Sequence, residues 1–356
     1  MRIVAAMSGG IDSSVAATLL HEAGHDVIGL SMQLYDQTDS ERQFGSCCTI
    51  DDLHDARRVA AHIGIPHYIV NFEKEFEEHV VSHFVQQYAV GRTPIPCVQC
   101  NSDLKFSHLL ERARGLNANR VATGHYVRVT RSSNPDGRAV HRLYRAIDRD
   151  KDQSYFLFSL TQEQLAYAEF PLGTLQKSEV RSYARARGID IADKPDSQEI
   201  CFVPDGDYAS LVERREPDVA KAGPIVDGFD RVLGNHSGIH RFTVGQRKGL
   251  GLSSAIPLYV TALDKSSGTV TVGPRDALEQ SVLTASGVNW IECAPDAGTT
   301  VEAQIRHRQT SAAARVWPGE GDTLRLEFDD PQRAITPGQA VVVYSNDLVL
   351  GGGWID

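Results

Sequence analysis

The sequence has few cysteines for its length: six in 356 residues, at positions 47, 48, 97, 100, 201 and 293. A set this sparse is not the framework of a disulfide-stabilised secreted protein. Any functional cysteines are therefore expected to be redox, catalytic or metal-binding residues. Long apolar runs are missing too, since none reaches the roughly 18 uncharged residues of a membrane span. The first predicted strand, Arg2 to Met7, runs into a glycine turn, unlike a secretory signal peptide. We expect a cytoplasmic protein that spans no membrane.

Positive charge is in deficit overall. Lys and Arg number 36 against 46 Asp and Glu, which gives a net charge of -10 and excludes a protein coated all over for nucleic acid. The distribution is uneven, because residues 105–151 contain eleven basic and four acidic side chains and carry +7. A solvated surface is the ordinary explanation of such a run, and a local nucleic-acid-binding face is the alternative.

Strand and helix patterns alternate in the first half of the chain. Strands are predicted over 2–7, 26–35, 67–72 and 120–126, and helices over 12–23, 51–63, 73–90, 101–114 and 177–187. This alternation is typical of an α/β fold with a doubly wound, mostly parallel sheet. From about Gly223, short β-rich segments separated by turn residues indicate a small central domain and a C-terminal β-barrel; they are 239–244, 258–263, 269–272, 300–305, 323–328 and 340–344.

The segment Ser8–Ser14, of sequence SGGIDSS, lies between the first strand and the first helix. It lacks the Gly-Lys-Ser/Thr ending of a Walker A loop and the G-x-G-x-x-G dinucleotide pattern. An ordinary glycine turn is the simplest alternative. Asp12 and Ser13 favour a phosphate cradle, because an Asp can hold Mg²⁺ and a hydroxyl can donate to a phosphate at a helix start. The pattern is that of the pyrophosphate loop of ATP-splitting, adenylating enzymes.

The segment His21–His25 has the formal zinc-protease pattern H-E-x-x-H. Such a site needs both histidines on one continuing helix. Gly24 is predicted to end the helix, and His25 leads into the next strand. We therefore expect two surface histidines and no zinc.

Cys97 and Cys100 lie in a proline-rich loop before a helix predicted to begin at Asn101. A thiol at a helix N-terminus has a lowered pKa, which favours the thiolate; inert buried thiols are the alternative. Cys201 follows the polar loop 196–200, whereas Cys47, Cys48 and Cys293 are expected to be structural or incidental. Together with an ATP loop, two separated cysteines point to sulfur insertion, in which persulfide sulfur displaces AMP from an activated oxygen.

The sequence resembles the bacterial tRNA-specific 2-thiouridylases, the MnmA family of pyrophosphate-loop ATPases. The resemblance covers nearly the whole chain and is carried by ordered motifs at 7–14, 55–58, 91–94, 100–101, 122–126, 151–156, 196–197, 200–202, 245–251, 306–309, 336–339 and 350–353. It implies an adenine nucleotide α-hydrolase-like catalytic domain over 1–206, a small central tRNA-contacting domain over 207–275 and a β-barrel over 276–356.

The resemblance also implies site residues. ATP would be bound by Met32, Gly124 and the loop residues Ala6, Met7, Ser8, Gly9, Gly10, Ile11, Asp12 and Ser13. Cys100 would be the nucleophile and Cys201 the persulfide carrier, with the target base beside Ile95, Pro96 and Cys97. The tRNA would be contacted by His125, Lys151, Asp152, Gln153, Arg306, His307 and Gln339.

The implied reaction replaces O2 of the wobble uridine, U34, by sulfur. Uridine O2 attacks the α-phosphate of ATP, with Mg²⁺ at Asp12, and persulfide sulfur on Cys201 then displaces AMP. The substrates would be tRNAs such as those for Lys, Glu and Gln, and sulfur would come from a cysteine desulfurase or a relay protein.

The chain departs from the family at Cys97, where many members carry Asp. Cys97, Cys100 and Cys201 offer three thiols for a [4Fe–4S] cluster with one open iron, an alternative to the persulfide route. A general base at this position is therefore in question.

Two other functions compete with thiolation. A small-molecule synthetase with the same loop would adenylate a carboxylate and would need no cysteines and no barrel. A non-catalytic tRNA-binding protein would leave the intact loop without a use.

Overall fold

The computed structural model describes residues 1–35, 49–133, 137–192, 194, 200–203 and 206–356. The chain divides into two compact units. Unit 1 comprises Met1–Val80, Cys97–Gly206 and Asp347–Leu350, and unit 2 comprises Val81–Pro96, Asp207–Asn346 and Gly351–Asp356. Within the described ranges, none of the helices has the length and apolar character needed to cross a membrane.

The strands of the described residues are β1 (Arg2–Ala6), β2 (Asp26–Gln33), β3 (His67–Asn71), β4 (Arg120–Ala122), β5 (Val127–Ser133), β6 (Ala139–Arg145), β7 (Ala168–Glu169), β8 (Gly223–Val226), β9 (Val232–His236), β10 (Tyr259–Asp264), β11 (Thr269–Gly273), β12 (Glu279–Trp290), β13 (Thr299–Gln304), β14 (Ala312–Pro318), β15 (Leu324–Arg333), β16 (Ala340–Ser345) and β17 (Leu348–Ile355).

The α-helices of the same residues are α1 (Ile11–Glu22), α2 (Ile50–Ile63), α3 (Glu73–Phe76), α4 (Ser82–Ala89), α5 (Pro96–Gln99), α6 (Leu109–Gly115), α7 (Gln162–Tyr167), α8 (Lys177–Ala186) and α9 (Tyr208–Arg215). Two π-helical segments, Glu77–Val81 and Cys100–His108, join neighbouring α-helices. Short 3₁₀ turns occur at Ser154–Phe156, Pro217–Val219, Ile239–Arg241 and Arg275–Leu278.

Unit 1 is built on a parallel five-stranded sheet of order β3-β2-β1-β4-β7. Its central strands are apolar without alternation, as expected where helices cover both faces of a sheet. Helix α1 packs on the sheet through small residues, with Val15, Ala16 and Ala17 buried, and α8 packs on α1 through Val180 and Ala184. The predicted α/β class and parallel sheet are thereby confirmed.

The predicted helices 73–90 and 101–114 are each interrupted in the structure. The first divides into α3, a π-helical turn and α4. The second begins earlier, at Pro96, and is π-helical over Cys100–His108. Proline is favoured at the first position of a helix, because it has no N–H to leave unpaired there. The predicted start at Asn101 was therefore wrong.

Unit 2 contains two β-structures. Strands β10-β11-β8-β9 form a four-stranded sheet, and β12-β15-β14-β13-β16-β17 form an antiparallel barrel that closes where β17 pairs with β12. The central sheet and C-terminal barrel agree with the predicted fold class. The segment predicted as strand 239–244 is instead a 3₁₀ turn at Ile239–Arg241, because Ile239 and Phe242 fill the core of the central sheet from a turn.

The hairpin β5–β6 in unit 1 was not predicted. Its exposed and half-buried strand positions carry the basic residues that dominate the sequence pattern, so the alternation of apolar residues is weak.

Helix α2 begins with a capping box in which Thr49 Oγ1 accepts from the Asp52 N–H and Asp52 Oδ2 accepts from the Thr49 N–H. Thr49→Ala should lower the free energy of unfolding of unit 1 by about 1 kcal/mol, the usual cost of a lost N-cap. Thermal unfolding followed by calorimetry measures the loss. Thr49→Ser keeps the hydroxyl and should unfold like the wild type, and equal losses in both variants would contradict the capping role.

Candidate nucleotide site and cysteine segments

The Ser8–Ser14 loop leaves the sheet at the point where the strand order reverses. Strand β1 is hydrogen-bonded to β2 on one side and to β4 on the other, and the chain proceeds outward to β3 before it returns to β4. Such a switch point leaves a crevice beyond the carboxyl ends of the strands, where α/β proteins bind ligands. The loop thus occupies the place expected of a nucleotide-binding segment.

Hydrogen bonds within the loop fix its curvature. The Ser8 N–H donates to Ser13 Oγ at 3.1 Å, and Ser13 Oγ donates to the Gly10 carbonyl at 3.1 Å. Gly10 is the N-cap of α1 and provides no side-chain cap. The first N–H groups of α1 are therefore directed at the crevice, where an anion can accept from them.

Two glycines hold the loop where no side chain fits. A Cβ on Gly9, whose φ is +73°, would lie 2.1 Å from the backbone oxygen of Asp52. A Cβ on Gly124 would lie 2.6 Å from the Ser13 nitrogen. The loop is therefore enclosed by the backbone of α2 on one side and by the segment after β4 on the other.

Asp12, the proposed metal ligand, is engaged by two neighbours. Lys177 Nζ lies 2.8 and 2.7 Å from its two carboxylate oxygens, and the Tyr126 hydroxyl donates to Oδ1 at 2.7 Å. The Lys177 side chain is only 10% exposed, and Asp12 is the carboxylate that pairs with it.

Met7 and Met32, both buried, lie at the ends of neighbouring strands. Ser31 Oγ donates to the Met7 carbonyl at 2.6 Å and lies 2.8 Å from His67 Nε2. Burial, with a further contribution from the Arg57 charge, lowers the pKa of His67. A neutral imidazole thus supports the end of β2, where Met32 is predicted to bind ATP.

Cys97 and Cys100 do not precede a helix, as predicted, but lie within one. Cys97 is exposed in the first turn of α5, and partly buried Cys100 begins the π-helical segment. The expected effect of a helix N-terminus therefore applies to Cys97 more than to Cys100, because it fades beyond the first turn. π-Helical segments are rare in proteins, and those that occur are often found at functional sites.

A chain of hydrogen bonds joins the loop to the neighbour of Cys100. Tyr126, which donates to Asp12, also donates its N–H to Gln153 Oε1 at 2.9 Å. The Gln153 carbonyl accepts from the Phe156 N–H, and the Phe156 carbonyl accepts from Asn101 Nδ2 at 3.1 Å. The phosphate loop and the Cys100 segment are thereby held in one network.

The Cys201 segment is anchored separately. Phe202 is buried and packs edge-on against Phe76, with ring centroids 5.6 Å apart. Lys194, seven residues before Cys201, reaches the Gly9 carbonyl at 3.2 Å. Cys47, Cys48 and the predicted loop 196–199 lie outside the described residues.

Asp152 and Gln153, predicted to contact tRNA, hold the chain in place. Asp152 accepts from the Ala146 and Ser154 N–H groups, and its side chain is 8% exposed. Gln153 has the bridging position described above. Lys151 is half-buried beside them. The predicted tRNA role of this segment stays a prediction.

His125 is buried beside the rings of Phe106 and Phe170, and its Nδ1 lies 2.7 Å from Thr123 Oγ1. Burial, assisted by the charge of Lys105, moves its pKa well below the usual value. His125 is therefore uncharged near neutral pH and cannot attract a phosphate as a cation.

The other predicted tRNA contacts belong to unit 2. Arg306 donates to the carbonyls of Arg333 and Ala334, and Gln339 Nε2 donates to the Thr93 carbonyl at 2.8 Å. His307 is exposed. Ile95 and Pro96 are buried, and Cys97, which follows them, is exposed. Their contact with the target base stays a prediction.

The basic segment 105–151 is partly neutralised. Among its described residues, at least six basic side chains pair with four carboxylates from outside the segment, namely Asp152, Glu163, Glu169 and Asp347. Inclusion of these acids reduces the local charge from +7 to +3. Any nucleic-acid face here is weaker than the sequence predicts.

Three residues that contact the loop were not predicted from the sequence to belong to the site: Tyr126, Lys177 and Lys194. Tyr126 ends a recognised motif, but nothing in the sequence predicts its bond to Asp12. Each lysine is far from the loop along the chain and lies in none of the motifs identified in the sequence.

His21 and His25, which form the H-E-x-x-H pattern, are not arranged as a zinc site. Helix α1 ends at Glu22, Gly24 has φ +80°, and His25 precedes β2, so the two histidines do not share a helix.

Comparison with known proteins identifies the family. Models described as the tRNA methyl transferase HUP domain, the tRNA methyl transferase PRC-barrel domain and the aminomethyltransferase beta-barrel domain match residues 1–205, 214–274 and 280–355. A protein of Geotalea uraniireducens named tRNA-specific 2-thiouridylase MnmA is 50% identical, covering 100% of this chain and 95% of its own. The chain belongs to the MnmA family.

Other members of the MnmA family are equally similar. Proteins of that name from Roseiflexus sp. (strain RS-1) and Solibacter usitatus are 47% and 50% identical, each covering 99% of both chains. Among solved structures, a 4-thiouridine synthetase–RNA complex with bound ATP and an NMN synthetase from Francisella tularensis are both 18% identical and cover 61% of this chain; they cover 50% and 76% of their own, with TM-scores of 0.35 and 0.33. Likeness at this level does not decide between functions.

Gly124→Ala should weaken ATP binding about tenfold, because the new methyl group would push the Ser13 backbone out of place. Overpacking of this kind costs roughly 1–3 kcal/mol. Titration calorimetry with ATP measures this. Gly115→Ala is the matched control, since nothing lies within 4 Å of a Cβ there. Unchanged affinity in Gly124→Ala would remove Gly124 from the nucleotide site.

Proposed function

We propose that this protein catalyses ATP-dependent 2-thiolation of the wobble uridine of tRNA, forming 2-thiouridine, AMP and pyrophosphate. Membership of the MnmA family supports the substrate and the reaction. The observation that carries the proposal is the hydrogen-bond network from Asp12 through Tyr126 and Gln153 to the neighbour of Cys100. A site that only adenylated its substrate would not need a cysteine segment fixed to its phosphate loop.

The first step activates the uridine. Uridine O2 attacks the α-phosphate of ATP, a P–O bond forms, and pyrophosphate leaves. The N–H groups at the start of α1 stabilise charge that develops on the phosphate oxygens, and the Ser13 hydroxyl holds the loop in shape through its bond to the Gly10 carbonyl. Met32 and Gly124 complete the proposed ATP site. Ile95, Pro96 and Cys97 are the proposed neighbours of the base, which must leave the anticodon stack to react.

The second step transfers sulfur. The terminal sulfur of a persulfide on Cys201 attacks C2, and AMP leaves with the former O2. The Cys100 thiolate then attacks Cys201 Sγ, so that a Cys100–Cys201 disulfide forms and the thiocarbonyl is released. An external dithiol reduces this disulfide. A cysteine desulfurase or a relay protein must renew the persulfide.

Asp12 suits a magnesium ion in this site. Mg²⁺ at nucleotide sites takes one or two carboxylates together with phosphate oxygens and water, and Asp12 is a single carboxylate, 30% exposed, beside the phosphate loop. Lys177 and Tyr126 orient that carboxylate. When bound, the metal would supply charge stabilisation at the phosphates.

The three thiols do not fit an iron–sulfur cluster. Cys97, Cys100 and Cys201 are all described, yet no three His, Cys, Asp or Glu side chains among the described residues come together as a metal-holding group. No step is therefore derived through a cluster at these residues.

The proposed partner is tRNA with a wobble uridine, such as those for Lys, Glu and Gln. Lys151, Arg306 and His307 are the cationic or exposed members of the proposed tRNA-contacting set, which also contains His125, Asp152, Gln153 and Gln339. The alternative, a synthetase for a small carboxylate, is not favoured by the family.

Pyrophosphate release by the purified protein should require tRNA. Asp12→Asn should abolish this release while tRNA affinity persists, because Asn keeps an acceptor for Tyr126 and Lys177 but loses the charge. Release is measured by an enzyme-coupled assay and binding by filter retention. Release with small carboxylates alone would establish the synthetase, and tRNA binding without release would establish a non-catalytic protein.

Cys100→Ser and Cys201→Ser should each abolish 2-thiouridine formation, because one removes the resolving thiolate and the other the persulfide carrier. Mass spectrometry of digested tRNA measures the product. Cys293→Ser, at an exposed cysteine of unit 2, is the matched control and should retain full activity. Thiolation by either of the first two variants would refute the persulfide route.

Cys97→Asp should keep most thiolation activity, because it restores the residue that many family members carry and removes no atom that the persulfide route uses. The assay is run on anaerobically purified protein alongside determination of iron and sulfide. A stoichiometric cluster in the wild type, together with loss of activity in this variant, would overturn the persulfide route.

A further inference from the structure

Lys194 occupies a position between three groups of unit 1. Its Nζ lies 2.5 Å from Asp52 Oδ1, 2.6 Å from Asp55 Oδ2 and 3.2 Å from the Gly9 carbonyl. Asp52 and Asp55 are on α2, and Gly9 belongs to the phosphate loop. The ammonium therefore joins the loop to the first turns of α2.

Every carboxylate oxygen in this cluster has a partner. Asp52 Oδ2 caps α2 through Thr49, which leaves Oδ1 for Lys194. Asp55 Oδ1 accepts from Arg58, which leaves Oδ2 for Lys194. Partial burial alone would lower the pKa of Lys194, but its hydrogen bonds to Asp52 and Asp55 outweigh burial and raise it. The arrangement leaves Lys194 charged and its direction fixed.

The contact with Gly9 bears on phosphate binding. In a trans peptide the carbonyl of one residue and the N–H of the next point in opposite directions. Since the Gly9 carbonyl is directed at Lys194, the Gly10 N–H points away from Lys194. Backbone N–H groups turned to one side in this way form an anion-binding concavity.

We propose that Lys194 is a positioning residue for the nucleotide step, which fixes the Gly9–Gly10 peptide and neutralises two carboxylates that would otherwise repel the phosphates. Lys194 precedes Cys201 by seven residues in the sequence, so we expect loss of its contact with the loop to alter the response of Cys201 to ATP. This inference deepens the proposed function and rests on it for the role of Cys201. Lys194 touches no reacting atom.

The first test measures ATP affinity by titration calorimetry without tRNA or sulfur donor. Lys194→Ala should bind ATP at least about tenfold more weakly, an effect of the size expected for one lost charge-assisted contact. Asp55→Asn removes one charge but keeps the cap and the Lys194–Asp52 pair, so it should fold normally and bind ATP no more weakly than the wild type. Lys74→Ala, at an exposed lysine of unit 1, is the control for loss of a positive charge.

A second readout separates positioning from a general loss of stability. The alkylation rate of Cys201, followed by peptide mass spectrometry, should change on ATP addition in the wild type and should not respond to ATP in Lys194→Ala. Lys194→Ala with wild-type ATP affinity, or with an unaltered response at Cys201, would overturn the inference. A wild type that binds no ATP would instead overturn the proposed function, so the two failures are distinguishable.

Discussion

The close approach of backbone to backbone around the phosphate loop is the constraint on which the rest of the site depends. Gly9 meets the Asp52 carbonyl and Gly124 meets the Ser13 nitrogen at distances that admit no Cβ. We expect a loop held by neighbouring backbone on both sides to relax little when a phosphate binds. In the proposed reaction its N–H groups are directed before binding, which spares the cost of reorganisation.

The same loop is the meeting point of segments that are distant in sequence. Tyr126 and Gln153 connect it to Asn101, beside Cys100, and Lys194 connects it to the chain that leads to Cys201. In the proposed reaction, adenylation and sulfur transfer act on one base in succession. The side chains that link the Cys100 segment to the Ser8–Ser14 loop are a physical means of achieving that order within unit 1.

Sequence patterns predicted what depends on local or periodic signals. The β1–loop–α1 unit, the parallel sheet and the barrel follow from apolar periodicity and glycine placement, and the end of α1 at Glu22 excluded the false zinc motif. The π-helical segment at Cys100–His108 was missed, because its residues suit an α-helix equally well. The pairing of the basic segment 105–151 with Glu163, Glu169 and Asp347 was not predicted, because it depends on tertiary contacts.

The contacts of Lys177 and Lys194 could not be predicted from the sequence. Each is separated by more than a hundred residues from the carboxylates that it neutralises, and a single lysine carries no motif. The role of the two lysines follows from the negative charge around the Ser8–Ser14 loop. A site that must bind a polyanion yet keeps Asp12, Asp52 and Asp55 beside it needs a cation for those carboxylates whenever no metal or phosphate is present. The ammonium groups of buried Lys177 and half-buried Lys194 meet that need, and Lys177 couples the charge of the proposed nucleotide site to α8.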